Sequence, residues 1–218
     1  MEIGSIISSQ IPELRISDTI EQALHLMEEY KVEHLPVVKD GILLGTISET
    51  SLMNSNQDSV MITGLELFQT AIEPQQHLYE VIELMAEQHL TLVSVTDSKG
   101  YYLGHITAMA VINKLAQTQA LASKGSIVVL EMNRRDYSLS EISRLAESNG
   151  LLILSSMLTT IKDSTKSELT LKLNKQDIDA FMQTLSRYDY SVKAFFSAPK
   201  RSNDLQRRYE EFLRYLNT

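Results

Sequence analysis

Apolar and polar residues alternate along this chain in two different periods, and the switches between them mark out its elements. Ile20, Ala23, Leu24 and Met27 recur at the spacing of one helix face, with Glu21, Glu28 and Glu29 on the other. Asp18-Thr19-Ile20-Glu21 reads as the capping box that starts this helix, Asp18 accepting a backbone N–H of the first turn while Glu21 reaches back. Beyond Tyr30-Lys31 the pattern shortens. Leu35-Pro36-Val37-Val38 is too short for a helix and holds a proline, so it predicts a strand. Asp40-Gly41 predicts a tight hairpin turn, because both residues tolerate positive φ. Ile42 to Ile47 is the return strand, and Ser48 stands at the junction with a helix beginning at Glu49, where a hydroxyl caps the first turn. Ile6 to Arg15 is mixed and predicts an extended lead-in, with Pro12 keeping it out of a helix interior.

The same pattern returns. Residues 54–61 are polar and turn-prone, a link between copies. Leu78, Val81, Ile82 and Met85 then repeat the helix face, and Val93 to Thr96, a turn through Gly100, and Tyr102 to Thr107 repeat the hairpin. The offset is 58 residues (Val37 to Val95) and becomes 59 beyond the turn (Gly45 to Gly104), after one residue is inserted near Lys99. Two divergent copies of one unit predict two structural units that bury their apolar faces together.

A third pattern follows. Residues 116–124 continue the last helix of the second copy, with Gly125 as its stop. Ile127 to Met132 predicts a strand. Ser138-x-x-Glu141 predicts a capped helix carrying Ile142, Leu145 and Ala146 and ending at Asn149-Gly150. Leu151 to Ile161 predicts a second strand, and Leu169, Leu171 and Leu173, alternating with polar residues, predict a half-buried third. Asn174 is placed as the cap of a helix carrying Ile178, Phe181, Met182 and Leu185, and Val192, Ala194 and Phe196 predict the last strand. The order βαββαβ predicts a ferredoxin-like arrangement, so the fold class is α+β. Residues 203–216 predict a C-terminal amphipathic helix with Leu205, Tyr209, Phe212, Leu213 and Leu216 on its stripe, packed on its own chain or contributed to a dimer.

Composition narrows the function. The net charge of −8 over 218 residues argues against nucleic acid and anionic membrane as partners, since both call for a basic surface. The absence of cysteine removes disulfides, thiol nucleophiles and cysteine-based metal sites. No apolar run reaches the roughly 18–20 residues that cross a bilayer, and the N-terminus lacks a secretory pattern, so a cytoplasmic location is expected. The histidines, His25, His34, His77, His89 and His105, form no metal-binding helix pair. No phosphate-binding glycine loop or nucleophile elbow is present, so neither catalytic residues nor a metal or cofactor is expected.

The Leu-Pro-Val-Val strand, the glycine-bearing turn and the Gly-x-Ile-Ser/Thr closure ahead of a helix, in duplicate, resemble a tandem of CBS domains, a Bateman module, over about residues 1–120. The resemblance implies that the copies pack by their sheets and that adenosine-type ligands such as AMP, ATP or S-adenosylmethionine lie in clefts between them. In the family's motif a Ser or Thr contacts phosphate and an aspartate three residues on holds both ribose hydroxyls. Ser48 and Thr107 match the hydroxyl, whereas Ser51 and Ala110 stand where the aspartate would be. A serine makes one neutral bond in place of a carboxylate's two, and an alanine makes none. The adenosyl-ligand cleft is therefore expected at Ser48 and Ser51, with Ile16, His34, Pro36 and Val37 as its wall and Thr107 in the other copy.

The third unit resembles an ACT domain in topology, although its loop Asn133-Arg134-Arg135-Asp136-Tyr137 lacks the usual glycine. That likeness implies a regulatory ligand or side-by-side pairing. Arg134, Arg135 and Asp136 form either a site loop that receives an anion or an ordinary solvated loop. The expected division is 1–56 and 57–124 for the CBS repeats, 125–198 for the ACT-like domain and 199–218 for the helix. The whole resembles accessory proteins of acetoin utilisation. The expected function is a non-catalytic sensor of an adenine nucleotide or adenosyl compound, a homodimer acting on an unidentified regulated protein. The alternative is a ligand-independent scaffold with vestigial CBS and ACT sites.

Overall fold

The computed structural model describes residues 1–55 and 61–197. The chain divides into two compact units, Met1–Ala116 and Gln117–Thr218.

In the first unit, α1 (Ile20–Tyr30) leads to the hairpin of β1 (His34–Lys39) and β2 (Ile42–Ser48), followed by α2 (Glu49–Met53). The second copy has β3 (Ala71–Ile72), α3 (Leu78–Gln88), β4 (Leu92–Thr96), β5 (Tyr102–Thr107) and α4 (Ala108–Ala116). The α1 cap sits one residue later than the sequence suggests: Thr19 accepts from the Gln22 N–H, and the Gln22 side chain accepts from the Thr19 N–H. Asp18 instead accepts the Arg15 N–H and ties off the preceding turn. Asp40 and Gly41 both have positive φ, as a two-residue hairpin turn requires. Each hairpin carries a bulge at the same place, Leu44 in one copy and Leu103 in the other. The two turns meet, Leu43 donating to the Gly100 carbonyl and Tyr102 to the Gly41 carbonyl.

The lead-ins do more than precede their helices. Leu14 bridges Val37 in parallel within the first copy, as β3 pairs with β4 in the second. Farther upstream each lead-in crosses to the other copy. Ser8 exchanges two backbone hydrogen bonds with His105 on β5, and Phe68 exchanges two with Thr46 on β2. Gly45 and Gly104 permit this crossing. Both have positive φ, and a Cβ at Gly104 would lie 2.6 Å from the Ser8 carbonyl oxygen, one at Gly45 2.9 Å from that of Phe68.

The cores are exchanged in the same way. Ile62, from the lead-in of the second copy, is buried in the first core with Leu14, Met27, Val37 and Ile47. Ile3, from the lead-in of the first, is buried in the second core with Ile72, Val81, Val95 and Ile106. Between the hairpins, buried Thr46 Oγ1 and Ser94 Oγ lie 3.2 Å apart across the copies.

In the second unit, α5 (Gln119–Ala122) is separate from α4, so the single helix expected through residue 124 is broken near Thr118. Gly125 is needed for close approach, since a Cβ there would collide with the Leu173 carbonyl. The elements β6 (Ile127–Asn133), α6 (Leu139–Ser148), β7 (Ile153–Thr160), β8 (Lys166–Leu173), α7 (Asp179–Arg187) and β9 (Ser191–Phe196) follow in order. The sheet is antiparallel throughout, ordered β7-β8-β6-β9. Its core holds Val128, Leu130, Leu169, Leu171, Ile142 and Phe181.

Three local readings change here. Ser138 caps α6 by accepting the Glu141 N–H, but the Glu141 carboxylate accepts from the Tyr190 hydroxyl at 2.8 Å. Asn174 does not cap α7, whose N-cap is Ile178; its side chain accepts the Leu152 N–H. In β9 the bulge at Lys193 turns Val192 and Phe195 toward the core, and Phe196, expected inside, is 58% exposed. The predicted helix at 203–216 lies outside the described residues.

Among the described residues no helix is long and apolar enough to cross a membrane. No cluster of three or more His, Asp or Glu among them could hold a metal ion.

Candidate cleft of the first repeat

Ser48 ends β2 with extended backbone and begins α2. Its Oγ accepts the Ser51 N–H at 3.1 Å and donates to Ser51 Oγ at 2.9 Å. The helix cap and the expected ligand hydroxyl are thus the same atom, and its proton is committed to Ser51. The Ser51 hydroxyl keeps its own proton for a ligand.

These serines line an open cleft of about 610 Å³ in the first unit. Glu33 and His34 come from the entry to β1, Leu65, Glu66 and Phe68 from the lead-in of the second copy, and Gln88 and His89 from the end of α3. Both repeats therefore build the wall. The lead-in residues and His89 come from segments whose role the periodic pattern does not reveal. The 58-residue offset does place His89 opposite Lys31, and both are left-handed helix C-caps whose N–H returns to a methionine carbonyl.

His34 is held from the other repeat. The Glu33 N–H donates to Thr91 Oγ1 at 2.9 Å, and that hydroxyl lies 3.2 Å from His34 Nδ1. The Thr91 N–H also donates to Nδ1, at 3.4 Å. A ring nitrogen that accepts carries no proton, so the bonding assigns the proton to Nε2. The side chain is 8% exposed, and burial pushes its pKa below the ordinary value of 6.5, against the opposing pull of Glu33.

Three of the expected site residues, His34, Ser48 and Ser51, meet in this cleft. Pro36 and Val37 are buried within β1, behind it, where the Pro36 carbonyl accepts the Leu14 N–H. Ile16 is 37% exposed and its carbonyl accepts from the Thr63 hydroxyl. Thr107 caps α4 in the second copy, accepting the Ala110 N–H at 3.1 Å, as Ser48 caps α2. His105 does not share the environment of His34. It is buried against the Tyr102 hydroxyl, 3.2 Å from Nδ1, and desolvation lowers its pKa as well. In the second unit Arg134, Arg135 and Asp136 form an exposed 3-10 turn before α6, with Asp136 bonded to Asn133.

Solved structures similar to this chain match about half of it. A CBS domain pair/ACT domain protein from Thermotoga maritima is 18% identical, covering 54% of this chain and 98% of its own, with a TM-score of 0.48. CBSX2, solved in complex with AMP, is 22% identical over 53% of this chain and 96% of its own, with a TM-score of 0.46. The cytosolic domain of the Mg2+ channel MgtE, solved with ATP, is 21% identical over 52% of this chain and 48% of its own, with a TM-score of 0.44. The segment that contributes Glu33, His34, Ser48 and Ser51 is also the one that a family model identifies: residues 3–57 match the CBS domain.

Proposed function

We propose that this chain is a non-catalytic regulatory protein that senses a small ligand, an adenine nucleotide or related adenosyl compound, in the cleft beside Ser48 and Ser51. One observation carries the reading: a cleft wall in which His34 of the first repeat is fixed by Thr91 of the second. A ligand on that wall binds one relative placement of the repeats better than others, which is the differential affinity that a sensor needs. The match of residues 3–57 to the CBS domain supports the adenosyl class. The copies are unequal at the site: Ser51 and His34 correspond by the repeat offset to Ala110 and Leu92, which offer a ligand no polar group. One ligand per chain is the expected stoichiometry.

The second unit is assigned the ferredoxin-like, ACT-like role, and a homodimer in the cytoplasm acting on a regulated protein completes the proposal. Its antiparallel sheet with helices after the first and third strands supports that assignment. The proposed division remains 1–56, 57–124, 125–198 and 199–218.

Titration calorimetry of the full chain with AMP, ADP, ATP, adenosine and S-adenosylmethionine tests the sensor. Binding of at least one, at one site per chain and weakened by Ser51→Ala, is expected. Absence of heat with all five removes it. A second reading, a ligand-independent scaffold, is favoured by Ser51 and Ala110 at the places of the ribose-binding aspartates. It predicts a melting temperature indifferent to every one of these compounds.

A further inference from the structure

Ligand charge is written into the cleft's lining. Two acidic residues line it, Glu33 from the first repeat and Glu66 from the lead-in of the second, and both are exposed. Among the described residues the lining contains no lysine or arginine. Phosphate is ordinarily held by such cations or by several converging N–H donors. The Ser48 proton, which would serve a phosphate oxygen, is spent on Ser51 Oγ. Beside the neutral side chains of Ser51, Asn54 and Gln88, the cleft offers a donor fixed in direction from the other repeat: His34, nine-tenths buried, with Nδ1 occupied by Thr91 and no described residue bonded to Nε2. Phe68, 44% exposed, adds an aromatic surface on the same wall.

We infer that this cleft selects an uncharged or cationic ligand over its phosphorylated counterpart, with a hydrogen-bond acceptor of the ligand at His34 Nε2–H and its donor or positive groups toward Glu33 and Glu66. The inference rests on the sensor reading and narrows its ligand class from nucleotides to nucleoside-like compounds without phosphate. The charges decide the sign: a phosphate brought within several ångströms of two carboxylates is repelled, while a cation there is attracted. Phe68 favours the same class, since an aromatic face attracts a cation or stacks on a flat base. His34 adds a requirement of shape, because its proton is held in one direction by a hydrogen-bond chain that starts on the other repeat.

Calorimetry at low salt separates the possibilities. The full chain should bind adenosine and S-adenosylmethionine at least about ten-fold more tightly than AMP or ATP. In the E33Q/E66Q variant the gap should close, chiefly because AMP binds better; both residues are exposed, and the Glu33 N–H bond to Thr91 belongs to the backbone, so the fold is retained. Nitrogen NMR should show the His34 Nε2 resonance moving on addition of adenosine. AMP or ATP binding as tightly as adenosine overturns the inference and leaves the sensor standing. A gap unchanged in E33Q/E66Q, or a His34 resonance that ignores bound adenosine, also overturns it. No binding by any of the four compounds overturns the inference, and no binding by ADP as well overturns the sensor reading with it.

Discussion

Ser48 and His34 carry most of what the cleft can do, and each is set by a neighbour. Ser48 was legible as a helix cap and as a ligand hydroxyl, and the structure gives the cap first claim on its oxygen. His34 was legible as a wall residue of the expected cleft, but not its orientation, because its partner Thr91 lies 57 residues away. Burial gives it a pH consequence. A histidine whose folded pKa lies below its unfolded value binds fewer protons when folded, so its contribution to stability is fully present above the ordinary value of 6.5 and is lost as pH falls through that value toward the folded one. His105 has the same sign. Glu33 is the charge that acts on His34, Thr91 is bonded to its ring, and Glu66 and His89 line the same cleft; the groups near His105 are Tyr102 and Glu13. The melting temperature is therefore expected to fall between pH 7.5 and 5.5, and less steeply in His34→Gln. An identical fall in the variant would show that His34 is not a cause.

At the level of elements, the helices and strands were readable because each has a one-sided apolar period, as in β8, where Ser167, Leu169, Leu171 and Leu173 are all buried. What periodicity misses is a change of phase. Strict alternation puts Val192, Ala194 and Phe196 on one face, but the bulge at Lys193 inserts a residue, and Phe195 replaces Phe196 against the core. Lys193, out of the ladder, forms an ion pair with Glu168, while Lys166 holds Glu131 at 2.5 Å. Glu131 and Glu168 are directly opposed on β6 and β8, a like-charge pair that these two lysines neutralise. The Glu131 carboxyl is held below its usual range, first by its bond to Lys166. Phe195→Ala is expected to destabilise the second unit by about 2 kcal/mol, less than full burial would cost, and Phe196→Ala to stay within about 0.5 kcal/mol. Urea unfolding of the two variants distinguishes them; equal effects would contradict the bulged register.

At the scale of the first unit, the two copies cannot be taken apart at the polar link between them. Ile62 completes the core of the first copy and Ile3 that of the second, each 1% exposed or less. The expected boundary at residue 56 marks the end of one repeat in sequence, while the packing runs past it. Ile62→Ala and Ile3→Ala should each cost about 2–5 kcal/mol. Either should lower one shared transition for residues 1–116 rather than unfold one copy alone. Two separated transitions in calorimetric melting of either variant would contradict this exchange of lead-ins.

The sequence by itself determined the duplication, the helix-and-hairpin order of each copy, the βαββαβ order of the second unit, the Asp-Gly hairpin and the absence of cysteine chemistry. Those properties follow from local period, turn chemistry and composition, all of which are written in neighbouring residues. Only the tertiary structure decided which lead-in completes which core, that Gly45 and Gly104 make room for a crossing backbone, and that His34 takes its orientation from Thr91. It also decided the company of Ser48 and Ser51: two glutamates and two histidines gathered from three separate segments. Such contacts span tens of residues, and no local pattern encodes a pairing whose partners are brought together only when the two copies close on each other.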